Sequence, residues 1–148
     1  MDIQPDFKEF LALLNAKHVE FLIVGGYALA FHGAPRFTGD IDIFVRPTPE
    51  NAARLLAALN AFGFQFPNLS EQDFVALDQV VQLGVPPVRI DLMTSLSGVS
   101  WDEADTSKVS GLYGDVPVYY IGLNDYIVNK KASGRQKDLA DIEALGEL

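Results

Sequence analysis

Residues 40–46 read Asp-Ile-Asp-Ile-Phe-Val-Arg, which alternates at first and then runs apolar. This pattern predicts a buried β-strand. Because side chains two positions apart point to the same face of a strand, Asp40 and Asp42 are expected to project together. Two adjacent carboxylates repel each other, and a divalent cation such as Mg²⁺ converts that repulsion into ligation. The stretch therefore predicts both a strand of the sheet and a metal site.

A lone Asp-x-Asp motif also has a simpler interpretation, as two polar positions on a solvated strand face. Here the motif encloses Ile41 and is followed by Ile43 and Phe44, which indicates a strand that is buried. Acids at the end of a buried strand are costly unless something pairs with them. This favours the ligand hypothesis and leaves the solvated strand as its alternative.

A third carboxylate lies in a later stretch, residues 88–92, which read Val-Arg-Ile-Asp-Leu. Arg89 and Asp91 are expected to face one side of a strand, opposite its apolar residues. If this strand pairs beside residues 40–46, three carboxylates converge. Such a cluster can hold two metal ions about 4 Å apart, one activating an attacking oxygen and the other binding a triphosphate.

Upstream, residues 22–30 read Leu-Ile-Val-Gly-Gly-Tyr-Ala-Leu-Ala, which indicates a strand, a glycine pair and the start of a helix. Gly25 and Gly26 allow the backbone to approach a ligand closely, and a helix start offers free amide donors for a phosphate. A tight strand-to-helix turn without a ligand explains the same residues, so both interpretations stay open. Arg36 and Thr38, in the loop that follows, are further candidates for phosphate contact.

Four of the eleven basic residues lie within eight positions near the end of the chain: Lys130, Lys131, Arg135 and Lys137. Lysines at a helix end complement the helix dipole, and Lys137 can pair with Asp141 one turn later, so a structural role is one alternative. In the functional interpretation, Lys131, Arg135 or Lys137 contacts a triphosphate or the leaving pyrophosphate.

The remaining sequence predicts a single domain over residues 1–148. Apolar residues make up 49% and charged residues 21%, which is typical of a soluble globular protein. Helices are expected after caps at Asp6, Thr48 and Asn124, and the C-terminal helices cover about 123–147. Closely spaced strands indicate antiparallel or mixed pairing, so we expect an α/β or α+β fold, a mixed β-sheet with flanking helices. The predicted strands cover 20–24, 40–46, 78–83, 87–93, 109–113 and 116–121.

Charge and cysteine content exclude several classes of protein. With 20 acidic and 11 basic residues the formal charge is -9, which argues against a protein that wraps nucleic acid with a basic surface. Cysteine is absent, which excludes zinc fingers, thiol-redox sites and disulfide scaffolds. No apolar run approaches the ~20 residues that span a bilayer, and the N-terminus has no signal-peptide core. We therefore expect a cytoplasmic protein without a membrane partner.

The chain resembles the nucleotidyltransferase superfamily related to DNA polymerase beta in the order of its motifs: Val24-Gly25-Gly26, Gly33-x-x-Arg36-x-Thr38-x-Asp40-Ile41-Asp42 and Asp91. It is most similar to the AbiEii-like group, which is often encoded in toxin–antitoxin pairs. The resemblance runs from Phe21 to Leu145. Lys137-Asp138-Leu139 resembles part of that group's C-terminal helices.

The resemblance implies an enzyme that moves a nucleoside monophosphate from a nucleoside triphosphate to a hydroxyl acceptor. Asp40, Asp42 and Asp91 match the catalytic acids that bind Mg²⁺ or Mn²⁺, and Gly25 and Gly26 match the turn that binds the triphosphate. Many members carry serine where this chain has Gly26, so backbone amides alone would hold the phosphate here. The acceptor stays open between RNA such as a tRNA end, a protein and a small molecule. A cognate toxin or antitoxin is a further expected partner.

Two other functions fit parts of the sequence. A catalytically degenerate member of the superfamily would bind a nucleotide or a partner protein, as an antitoxin does, without turnover. An Asp-x-Asp motif also serves as the metal motif of nucleotide-sugar glycosyltransferases. That second alternative leaves Asp91 and the glycine turn unexplained.

Overall fold

The computed structural model describes residues 3–34, 39–63, 68–84 and 88–146. Arg36 and Thr38 lie outside these ranges, so their expected phosphate contacts stay predictions. The described elements, in chain order, are α1 (Pro5–Ala16), β1 (Phe21–Val24), α2 (Gly25–Phe31), β2 (Asp40–Val45), α3 (Pro49–Phe62), a 3₁₀ helix (Glu71–Phe74), β3 (Val80–Leu83), β4 (Arg89–Met93), α4 (Trp101–Thr106), β5 (Val109–Tyr113), β6 (Val116–Tyr120), α5 (Leu123–Ser133) and α6 (Gln136–Ala144).

Within the described residues, six strands form one mixed sheet in the order β3-β4-β2-β1-β6-β5. β1 and β2 are antiparallel, whereas β2 runs parallel to β4 and β1 runs parallel to β6. The chain passes through α3 and β3 between β2 and β4, which supplies the length that a parallel connection needs. The predicted mixed sheet with flanking helices is confirmed.

Apolar side chains of the helices and strands form the hydrophobic core. Phe7, Phe10 and Leu14 recur at helical spacing in α1, and each is at most 1% exposed. Ile41 and Ile43 alternate with the acids of β2 and are fully buried. Burying such a side chain contributes about 1.5–3 kcal/mol, so the strand that carries the acids is firmly anchored.

The starts of α1 and α3 show how local capping chemistry sets helix ends. Thr48 caps α3 as predicted, because its hydroxyl accepts the N–H of Asn51 at 3.3 Å. The predicted cap at Asp6 is wrong. Gln4 is the cap of α1, and its side-chain oxygen accepts the N–H of Asp6 at 3.2 Å. The helix begins earlier because Pro5, which lacks an N–H, suits its first position.

The predicted cap at Asn124 is also wrong, since α5 begins at Leu123 and Gly122 is its cap. Gly122 already has the extended backbone of a cap, so Asn124 falls inside the first turn. A Cβ at position 122 would crowd the carbonyl oxygen of Ser107, which accounts for the glycine.

Among the described residues, no helix has both the length and the apolar content to span a membrane.

Candidate active site

The carboxylates of Asp40, Asp42 and Asp91 meet at one place. One oxygen from each lies within 4.8 Å of the others. The parallel register of β2 and β4 pairs Asp42 directly with Asp91, and Asp40 lies two residues earlier on the same face. Asp91 is 6% exposed, and the other two are partly buried. The three carboxylates could meet only if β2 and β4 were neighbours in the sheet, and the two strands are paired.

The glycine turn lies beside Asp42. β1 is antiparallel to β2 and pairs Val24 with Asp42, so the chain enters α2 next to that carboxylate. The sequence pattern predicts a helix after the glycine pair, but α2 begins at Gly25 itself, because the strand passes into the helix without a linker. Gly25 has φ +66°, and a Cβ there would overlap Oδ2 of Asp42. Glycine is therefore required both for the left-handed backbone and for the close approach to the carboxylate.

The carboxylates open into a cavity of about 400 Å³, a size within the usual range for small-ligand sites. Gly25 lines this cavity, whereas Gly26 is not among its described lining residues. The C-terminal helices and their junction contribute further lining residues: Asn129, Lys130, Ser133, Arg135 and Lys137. The catalytic cavity, as we call it, therefore combines a group of acids with a group of cations.

Two of the basic residues predicted for phosphate contact, Arg135 and Lys137, line the catalytic cavity. Lys131 is exposed and is not among the described lining residues, and its neighbour Lys130 lines the cavity instead. Successive residues of a helix point about 100° apart, so adjacent lysines cannot both face the same cavity. The contact expected of Lys131 stays a prediction, and this geometry lends it no support.

A buried carboxylate holds two of these cations in place. Asp138 is fully buried, accepts hydrogen bonds from Arg135 Nε at 2.7 Å and Nη2 at 3.1 Å, and lies 3.4 Å from Lys130 Nζ. Burial raises the pKa of Asp138, but the hydrogen bonds from Arg135 and the charge of Lys130 outweigh it, and the net pKa is lowered. The ionised carboxylate thus joins the end of α5 to the first turn of α6.

Arg89 is a charged residue of the site to which the sequence interpretation assigned no role. Its Nη2 donates to Oδ2 of Asp40 at 2.8 Å and to Oδ2 of Asp91 at 3.2 Å. These hydrogen bonds raise the pKa of Arg89. The sequence feature that could have identified Arg89 is its position two residues before Asp91, on the same face of the strand. The bridge to Asp40 could not be seen, because it depends on which strands are neighbours.

Even with this arginine, negative charge predominates among the carboxylates. Burial raises the pKa of Asp42 to about 7, helped by the charges of Asp40 and Asp91 and opposed by the charge of Lys130. Burial also raises the pKa of Asp91, against the opposing charge of Arg89. A raised pKa means that the ionised form lacks sufficient compensation. A bound cation would supply it.

The donor set fits a divalent cation. Three carboxylates offer hard oxygen ligands close together, as Mg²⁺ and Mn²⁺ prefer. Oδ1 of Asp91 is buried, and none of the described residues donates a hydrogen bond to it. A buried carboxylate oxygen without a donor is rare unless an ion or a ligand pairs with it.

Residues 3–146 match the family model described as nucleotidyltransferase of unknown function, DUF6036. The chain belongs to this nucleotidyltransferase family. The superfamily that its motifs resemble is thereby confirmed, whereas the AbiEii-like group stays a prediction. No curated protein matches the chain.

Solved structures share the fold of this nucleotidyltransferase. The solution structure of the antibiotic-resistance factor ANT(2'')-Ia has a TM-score of 0.62 at 15% identity, over 95% of this chain and 80% of that chain. ANT(2'')-Ia in complex with adenylyl-2''-tobramycin gives 0.57 at 16% identity, over 94% and 84%. The Thermotoga maritima protein TM1012, described as a candidate nucleotidyltransferase, gives 0.60 at 15% identity, over 99% and 94%. At such identities the likeness shows the fold alone.

Proposed function

We propose that this nucleotidyltransferase moves a nucleoside monophosphate from a nucleoside triphosphate to a hydroxyl group, in a reaction that depends on Mg²⁺ or Mn²⁺. The observation that carries the proposal is the meeting of Asp40, Asp42 and Asp91 beside the Gly25 turn. Family membership supports the same class of reaction. A structural relative that has been solved with adenylyl-2''-tobramycin supports it as well.

The acids and the glycines have separate roles in the proposed reaction. Asp40, Asp42 and Asp91 would hold the divalent cation, which would offset the charge of the triphosphate and of the attacking oxygen. The backbone amides of Gly25 and Gly26 contact the phosphates, because no side chain keeps them at a distance. Gly26 provides no hydroxyl, so this contact is made by the backbone alone.

Basic residues stabilise the charge that moves during the reaction. The acceptor oxygen bonds to the α-phosphorus, the bond from that phosphorus to the pyrophosphate oxygen breaks, and the hydroxyl proton passes to the carboxylate of Asp91. Lys130, Arg135 and Lys137 line the same cavity and offset the charge on the leaving pyrophosphate. Arg36, Thr38 and Lys131 stay candidates for the same contact on sequence grounds.

Asp42→Asn tests the proposal. The variant keeps the shape of the side chain and removes its charge, so we expect transfer from a triphosphate labelled at the α-phosphate to fall by roughly 100-fold or more. The matched control is Asp115→Asn, which changes an 81% exposed side chain paired with Lys8 and should retain wild-type transfer. Equal labelling by wild type and Asp42→Asn would contradict the assigned role.

A protein that binds without turnover is the second candidate, and Arg89 is the observation that favours it. The guanidinium already bridges two of the three carboxylates, so part of their charge is compensated without a metal ion. Calorimetry of nucleotide binding, together with the transfer assay, separates the two functions. Nucleotide binding to the wild-type protein without any transfer would support the binding protein, and transfer would exclude it.

Several expectations from the sequence complete the proposal. They are membership of the AbiEii-like group, a cognate toxin or antitoxin as partner, a cytoplasmic location and a single domain over residues 1–148. Co-purification of the protein expressed with its genomic neighbour tests the partner directly.

A further inference from the structure

A groove beside the catalytic cavity has no place in the reaction as described so far. We infer that this groove binds the acceptor, and that the acceptor is a small hydroxyl compound without anionic groups and with an apolar part. The inference rests on the proposed nucleotidyl transfer and narrows its open acceptor to one chemical class. Its hydroxyl oxygen is the atom that bonds to the α-phosphorus as pyrophosphate leaves and the proton passes to Asp91.

The side groove consists of two cavities of about 270 and 330 Å³. The smaller one is lined by residues 78–80 and 95–97, and it shares Val80 and all of 95–97 with the catalytic cavity. The larger one shares Ser95 and Leu96 with both and extends to Phe44 and Trp101. A ligand in the side groove therefore lies beside the catalytic cavity, in a space that matches the size of a small molecule.

One wall of the side groove is a turn whose backbone is held in place. Asp78 has φ +60°, which non-glycine residues seldom adopt, and its N–H donates to Ser95 Oγ at 3.0 Å. Thr94 Oγ1 accepts the N–H of Gln79 at 3.0 Å and donates to the carbonyl of Ala76 at 2.8 Å. Strained and well-anchored backbone of this kind is common at binding sites.

The same turn presents apolar side chains to solvent. Leu77 is 63% exposed and Val80 is 60% exposed, although hydrogen bonds fix the backbone around them. Both belong to the lining of the side groove, together with the partly buried Leu96. Exposed apolar residues grouped beside a catalytic cavity indicate a surface that a ligand covers. An apolar part of the acceptor would cover this one.

Charge distinguishes the side groove from the catalytic cavity. None of the described residues that line the side groove is lysine or arginine, and its charged lining residue is Asp78. The cations of this region, including Lys130 and Arg135, line the catalytic cavity instead. An RNA end needs basic residues along its phosphates. The side groove thus suits a neutral or cationic compound.

The order of the strands places the side groove where an acceptor has to enter. Gly25 follows β1, and the sheet continues through β2 and β4 to β3, which carries Val80. Attacking and leaving oxygens lie on opposite sides of the α-phosphorus in an in-line transfer. If the Gly25 turn holds the leaving phosphates, the acceptor approaches from the side of β4 and β3. Asp91, on β4, lies between the two.

A polar substitution in the wall tests the inference. Leu77→Gln keeps the approximate size of the side chain and removes apolar contact, at a residue that lines the side groove and is not among the described lining residues of the catalytic cavity. The matched control is Leu112→Gln, which is 60% exposed and lies on β5 at the opposite edge of the sheet. A cell extract is separated into RNA, protein and small molecules, and each fraction is incubated with the enzyme, Mg²⁺ and triphosphates labelled at the α-phosphate. Affinity for an α,β-methylene triphosphate is measured separately by calorimetry.

We expect label in the small-molecule fraction, in a product that reversed-phase chromatography retains. Leu77→Gln should lower this labelling roughly tenfold, while nucleotide affinity and the control stay at wild-type values. Label in RNA or protein, or labelling that Leu77→Gln leaves unchanged, would overturn the acceptor class and leave nucleotidyl transfer standing. If the wild-type enzyme labels no fraction, the proposed function itself is wrong and the inference is wrong with it.

Discussion

Gly25 and Asp42 constrain each other at the residue scale. The carboxylate lies where a side chain at position 25 would be, and the left-handed backbone of Gly25 directs the chain from β1 into α2. The carboxylate position and the phosphate-facing turn are therefore set by one contact. A change at either residue is expected to affect both.

Gly25→Ala tests this contact. We expect the free energy of unfolding of the variant to fall by about 1–2 kcal/mol, because an alanine has to adopt a left-handed backbone. It should fall by roughly 1 kcal/mol more because Asp42 has to move. Nucleotide affinity should fall with it. Urea unfolding and calorimetry measure the two effects.

Gly114→Ala is the matched control, because Gly114 has φ +62° but its Cβ would meet no atom closer than 3.4 Å. This variant should show the backbone cost alone and retain nucleotide affinity. Equal losses in the two variants would mean that Asp42 tolerates a side chain at position 25.

At the scale of elements, α5 and α6 act together as the basic wall of the catalytic cavity. Gly134 ends α5 with φ +68°, and α6 starts at Gln136, so the two helices join within a tight turn. Asp138 in the first turn of α6 binds Arg135 and faces Lys130 of α5. One buried carboxylate therefore sets the positions of two cations.

Asp138→Asn separates this positioning role from simple stability. The substitution leaves two cations without their carboxylate, and we expect a loss of about 2 kcal/mol in the free energy of unfolding. Because Arg135 and Lys130 then lose their orientation, the KM for the triphosphate should rise more than kcat falls. Steady-state kinetics measure this division.

Asp105→Asn is the control for that experiment, since Asp105 pairs with Lys108 at 2.7 Å at the same spacing along the chain but outside the catalytic cavity. It should leave both kinetic constants unchanged. An Asp138→Asn enzyme that is less stable but has a wild-type KM would show that the junction is only structural.

At the scale of the whole molecule, the acid excess makes stability depend on pH. The formal charge is -9, and buried acids concentrate part of it at the site. The pKa of Asp42 rises from 3.8 to about 7 on folding, so the folded protein binds one proton more than the unfolded chain between these values. Stability from this group is complete below 3.8 and is lost as the pH rises through about 7.

We therefore expect Asp42→Asn to be more stable than wild type at pH 8, by a margin that shrinks as the pH falls from about 7 towards 3.8, with chelator present. Each pH unit within the window costs the wild type up to about 1.4 kcal/mol. Thermal unfolding of both proteins across this range measures the difference. A difference that does not change with pH, or one that Mg²⁺ leaves unaltered, would contradict the charge excess at the site.

The sequence by itself determined the strands, the mixed sheet and the three acids, because alternation, apolar runs and glycine turns are local signals. Two cap predictions, Asp6 and Asn124, were wrong because in each helix a residue two positions earlier is the cap. Only the tertiary structure decided that Asp91 pairs with Asp42 and that Lys130 faces the cavity in place of Lys131. These facts follow from the order of strands and the rotation of packed helices. They depend on contacts between distant segments, which no local pattern specifies.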